Sequence, residues 1–128
     1  MSYYFAKTIK DKSFDDVIAA VTDALKDEGF GVLTDIDLRA TMRKKLDIDF
    51  RDYRILGACN PGLARQALEA EDKIGTMLPC NVIVQRTDVG IEVAAVDPKA
   101  SMQAVENADL EPVAQAVHDK LKKVIAAL

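Results

Sequence analysis

Residues Tyr3 to Ile9 alternate, with Tyr3, Phe5, Lys7 and Ile9 on one side and Tyr4, Ala6 and Thr8 on the other, which predicts a β-strand. Ser13 then opens a helix, with Asp16 three positions on in a capping-box arrangement. Phe14, Val17, Val21, Ala24 and Leu25 recur at helical spacing, and Ile18 widens their stripe. Gly29 is placed to end the helix, because glycine adopts the left-handed conformation that helix C-termini use. A second strand runs from Gly31 to Ile36. Asp37 caps a short helix whose Leu38, Met42 and Leu46 repeat every four residues.

Tyr53 to Ala58 is a third strand. Asn60-Pro61 starts another helix, since proline suits the first helical position and pushes its predecessor into the extended conformation of a cap. Leu63, Ala64, Ala67 and Leu68 would face inward from it. Asn81 to Arg86 and Ile91 to Val96 are two more strands, joined by Thr87-Asp88-Val89-Gly90, a connection short enough for a hairpin. The last helix starts near Asp109 as cap, with Pro112 in its first turn. Leu110, Val113, Val117, Leu121, Val124 and Leu128 form its buried stripe.

The long elements therefore run strand, helix, four strands, helix, with two short helices inserted between the middle strands. Strands grouped this way predict an α+β layer: one mainly antiparallel sheet with both long helices on a single face. With no repeat, linker or low-complexity tract, residues 1–128 are expected to form one domain.

A chain that is 49% hydrophobic and 30% charged can bury a core and keep a polar surface. Its formal charge of -4 supplies no global attraction to nucleic acid or anionic lipid, so neither is expected as a partner. The local basic runs, Arg39 with Arg43, Lys44 and Lys45, and Lys120 with Lys122 and Lys123, are interleaved with apolar residues at helical spacing and read as solvated faces. The first residues lack the apolar core of a secretory signal, and no apolar run nears the ~18 residues of a membrane span. A cytoplasmic protein with reduced thiols is the expectation.

Chemistry concentrates at the only two cysteines, in Cys59-Asn60-Pro61 and Pro79-Cys80-Asn81. Cys59 stands just before a helix N-terminus, whose free N–H groups and dipole favour negative charge, which makes it the better candidate for a reactive thiol. Cys80 begins a strand and shares a face with Val82 and Val84. Were the two strands parallel, the thiols would be roughly 20 Å apart, at ~3.3 Å per residue; antiparallel neighbours bring them to one sheet edge. The element order favours the second arrangement. A purely structural role competes: free cysteine is often a small buried apolar residue, Asn60 is explained by capping, and Asn81 by a turn.

No base is legible beside either thiol, and whether the chain is an enzyme stays open. His118, the only histidine, lies on the last helix and reads as a partly exposed surface residue. Cys59, Cys80 and His118 lack zinc spacing, so no metal site is assigned, and no cofactor is indicated. Gly29-Phe30-Gly31 is not a phosphate loop. Asp35 with Asp37 and Asp47 with Asp49 alternate as on one strand face, but nothing brackets them with apolar residues, which leaves a carboxylate hydrolase the weakest option.

The segments Gly57-Ala58-Cys59-Asn60-Pro61 and Leu78-Pro79-Cys80-Asn81-Val82, together with Gly29-Phe30-Gly31-Val32-Leu33-Thr34 upstream, resemble the domain-of-unknown-function 302 family. The likeness spans nearly the whole chain, from the first helix past the second hairpin strand. It implies a small bacterial or archaeal cytoplasmic α+β protein, often homodimeric, in a TATA-binding-protein-like arrangement. It also implies that Cys59, Asn60, Pro61, Pro79, Cys80 and Asn81 are a family hallmark. It transfers no reaction, and a fold shared with a DNA-binding protein carries no functional weight. Two roles compete. One is a Cys-Asn cluster that binds a small ligand, a sulfur species or a soft metal ion. The other is a non-enzymatic homodimer that uses its uncovered sheet face, since Ile55 and Cys59 would point to one side of the third strand and Leu56 and Ala58 to the other, which makes both faces apolar.

Overall fold

The computed structural model describes residues 2–128. In chain order the elements are β1 (Tyr4–Ile9), α1 (Phe14–Asp27), β2 (Gly31–Asp37), α2 (Leu38–Leu46), β3 (Tyr53–Cys59), α3 (Pro61–Ala70), β4 (Cys80–Thr87), β5 (Gly90–Val96), α4 (Pro98–Ser101) and α5 (Glu111–Ala126). Two 3-10 turns, Asp72–Met77 and Ala108–Leu110, supplement them. The strands form one sheet in the order β1-β5-β4-β3-β2, and every neighbouring pair is antiparallel.

Alternation along the strands decides which face is dry. Leu56, Ala58, Val82, Val84, Val93 and Ala95 are buried beneath α1 and α5, which contribute Val17, Val21 and Leu25, and Val117, Leu121 and Val124. Each such side chain taken fully from water contributes about 1.5–3 kcal/mol, so this single layer is the core. The α+β class and the two long helices on one face follow from it.

Local capping chemistry is as the sequence requires. Ser13 Oγ accepts from the Asp16 N–H at 3.1 Å, Asp37 Oδ1 from Ala40 N–H at 3.0 Å, and Asn60 Oδ1 from Leu63 N–H at 3.2 Å. Gly29 takes φ +85° just beyond the end of α1.

Two expectations are corrected, at Asp109 and at the pair Asp47 with Asp49, and two further features appear, at α2 and His118. Asp109 is not the cap of α5: Leu110 holds that position without a side-chain hydrogen bond, and Asn107 Oδ1, accepting from the Asp109 N–H at 3.0 Å, caps the 3-10 turn that leads into the helix. The α2 stripe is not buried. Leu46 is 63% exposed, since α2 lies at the β2–β3 edge of the sheet and no element covers its outer turn. Asp47 and Asp49 share no strand; Asp47 ends α2 in the left-handed conformation, and its carboxylate pairs with Arg43 at 3.5 Å. His118 is more enclosed than a surface histidine: its side chain is 20% exposed, edge-on to Phe5, with Nδ1 2.8 Å from Asp97 Oδ1.

Among the described residues no helix lies over the opposite sheet face. Register aligns Ile36, Ile55, Ile83, Ala94 and Ala6 in one row across all five strands. A neighbouring polar row is tied laterally, Arg51 Nε donating to Gln85 Oε1 at 2.9 Å and Gln85 Nε2 to Glu92 Oε1 at 2.8 Å.

Candidate functional site

The antiparallel pairing of β3 and β4 places Cys80 opposite Ala58, with Cys59 one residue further along at the same end of the sheet. There α3 turns back over the sheet end and leaves an apolar cavity of about 270 Å3. Ala58, Cys59 and Cys80 form its floor; Leu63, Ala64, Ala67 and Leu68 of α3 form its roof. Phe30 and Leu33 close one side, and Leu78, Pro79, Met102, Val113 and Val117 the other.

Why the cavity exists is a packing matter. Residues at α3 spacings of 3 and 4 would ordinarily seal against the sheet, but two of them are alanines, and the facing sheet positions are Ala58 and the two cysteines. Small side chains on both sides leave the gap unfilled. Leu68, expected to point inward, is 44% exposed at the mouth. Leu33 rims the same mouth at 67% exposure, brought there by a β-bulge: Val32 pairs with Ala58 and Thr34 with Gly57, so Leu33 is the extra residue and leaves the pleat.

The two thiols differ. Cys80 is 9% exposed, while Cys59 is half-buried. Burial pushes the Cys80 thiol up to about 11, with the charge of the adjacent Cys59 adding to the effect. Cys80 is thus a neutral thiol at ordinary pH. Asn60 is the one polar amide on the wall, and its oxygen is committed to the α3 cap. Its amide nitrogen comes within 3.0 Å of where a Cβ on Gly29 would stand, so the C-terminus of α1 and the N-terminus of α3 meet only because residue 29 is glycine.

The six residues singled out in the sequence divide here. Cys59, Asn60, Pro79 and Cys80 line the cavity. Pro61 is exposed as the first residue of α3, and Asn81, the second residue of β4, is exposed away from it. Sequence reasoning missed Phe30, Leu33, Leu78, Met102, Val113 and Val117, which reach the cavity from five other segments. No short-range signal links them.

No three His, Cys, Asp or Glu side chains gather into a metal-binding group among the described residues. Of the carboxylates named above, Asp35, Asp47 and Asp49 are held in ion pairs and Asp37 caps α2, so none stands as a desolvated acid. Asp35 is bound through two donors of Arg54, and that hydrogen bonding holds its carboxyl below the usual range. Such groups are poor proton donors or bases at neutral pH. Among the described residues no helix is long and apolar enough to cross a membrane. The wall therefore offers hydrocarbon and sulfur, with little to bind a charged hydrophilic molecule.

The profile of the family described as "Domain of unknown function DUF302" matches residues 5–128. No curated protein matches the chain. Among solved structures, the uncharacterized conserved DUF302 protein from Bacillus stearothermophilus superposes with a TM-score of 0.91. It is 22% identical, and the match covers 99% of this chain and 98% of that one, a likeness of fold.

Proposed function

The chain belongs to the DUF302 family, and for it we propose a binding role: capture of a small, uncharged, largely apolar ligand in the cavity beneath α3. One observation carries this: the walls are hydrocarbon apart from two thiols, a thioether and an amide already engaged in a cap. Ligand sites are mostly apolar hollows with few polar groups, typically ~300–1,000 Å3. At about 270 Å3 the cavity suits the small end of that range. Its sulfur-lined floor extends the same preference to sulfur species and soft metal ions, and a cytoplasmic setting would keep both thiols reduced.

Titration with the neutral fluorescent probe N-phenyl-1-naphthylamine tests this. Saturable binding of one probe per chain is expected, and loss of it in Ala64→Phe, where the new ring occupies the gap. Absence of saturable uptake, or equal uptake by Ala64→Phe, contradicts it.

A second role, a non-enzymatic homodimer, draws on the uncovered row Ile36–Ile55–Ile83–Ala94–Ala6. A sheet packed on one face only leaves the other in need of cover. Sedimentation equilibrium is expected to give a dimer that Ile83→Glu converts to monomer. A strict monomer at high concentration rules the second role out.

A further inference from the structure

We propose that Cys59, Cys80 and Met102 form a sulfur site for one soft monovalent cation, copper(I) or silver(I), in the floor and wall of this cavity. The inference rests on the cavity being the binding site and names a class of occupant for its sulfur side.

Three adjacencies carry it. Cys59 directly follows Ala58, the register partner of Cys80, and both cysteines line the same cavity. Cys80 and Met102 line the same cavity and also share a second hollow behind it, so they are neighbours on two sides. Met102 is 7% exposed, buried against the cavity rather than presented to solvent. Three sulfur-bearing residues thus line one cavity.

Ligand chemistry selects the ion. Two thiols with a thioether suit copper(I), whereas zinc takes no thioether and needs three or four thiolate, imidazole or carboxylate ligands, of which this wall provides only the two thiols. Charge selects it too. A monovalent cation with one thiolate is neutral overall, and an apolar wall accepts a neutral complex far more readily than a charged one. Binding balances as one cation in and one proton out: the metal–sulfur bond forms, the S–H bond breaks, and the proton leaves to water. No change of oxidation state is involved. Met102, with three rotatable bonds, can supply the third sulfur without backbone movement.

Reduced protein is titrated with copper(I) held by bicinchoninate under nitrogen, and with silver(I) followed by native mass spectrometry. Wild type is expected to retain one cation per chain. Cys59→Ala and Cys80→Ala should lose it. Met102→Leu, which keeps the volume and fold, should weaken binding by at least about tenfold, since loss of even an outer partner of a ligand costs ~10–100-fold. Met102→Leu should still unfold cooperatively, with only the small loss of stability usual for a volume-conserving core swap, which separates loss of the sulfur from loss of the fold. No retention of metal by wild type, or equal retention by Met102→Leu, overturns the site. Should Cys80→Ala fail to fold, Cys59→Ala and Met102→Leu decide. Metal retention without probe uptake by wild type supports the sulfur site and overturns the apolar-ligand role alone.

Discussion

Gly57 on β3 and Pro79 at the entrance to β4 lie so close that a Cβ on the glycine would stand 2.7 Å from the proline Cγ. Thr34 Oγ1 on β2 comes nearer still. The three residues lock the strand ends that carry Cys59 and Cys80. Gly57→Ala is therefore expected to destabilise by about 1–3 kcal/mol, the usual cost of overpacking. Adding Thr34→Gly should recover only part, because the proline ring cannot swing aside. Urea midpoints of the single and double variants check this.

Cys80 links the cavity to alkaline stability. Its thiol lies at about 11 in the fold against an ordinary 9.0, so the unfolded chain ionises first. The stabilisation is complete below pH 9 and is lost as pH rises from 9 to 11. At about 1.4 kcal/mol per unit the full loss is roughly 2–3 kcal/mol. Lysines and tyrosines titrate in the same range, so the measurement is the difference in unfolding free energy between wild type and Cys80→Ala, which should shrink or reverse across that window.

At acid pH the group to watch is Asp52. Arg86 donates to its Oδ2 at 2.8 Å and Arg39 to its Oδ1 at 2.9 Å, and the Arg86 bond is the larger cause holding the carboxyl below its usual 3.8. A depressed carboxyl stabilises above its unfolded value and ceases to as pH falls through the folded one. Both arginines are half-exposed, so solvent screens the pairs. Asp52→Asn should cost no more than about 1 kcal/mol at pH 7. That cost should shrink in acid-unfolding curves as pH falls from 3.8 through the lowered value of the folded carboxyl.

The elements were legible in the sequence because their determinants are local. Periods of 2 and 3.6, the caps at Ser13, Asp37 and Asn60, and Gly29 all act within one turn. The meeting of Cys59 and Cys80 at one sheet end followed from element order. What surrounds them did not. Leu33 reaches the cavity through a bulge that alternation does not announce, and Met102 and Val117 arrive from segments distant along the chain. Leu68 illustrates the limit: helical spacing gives the face of α3 but not whether anything fills the space beneath it. His118 was legible as a partly exposed helix residue, but its partners Asp97 and Phe5 were not, since they come from β5's end and β1.

Thiol alkylation with and without a cavity occupant bears most directly on the central claim, that Cys59 and Cys80 face one apolar hollow that admits a ligand. Native protein is treated with iodoacetamide at pH 8, and each cysteine is followed by peptide mass spectrometry. Cys59 is expected to react well before Cys80, and saturating N-phenyl-1-naphthylamine should slow it. If Cys80 reacts first, or the probe leaves the Cys59 rate unchanged, the thiols do not share a ligand-accessible cavity.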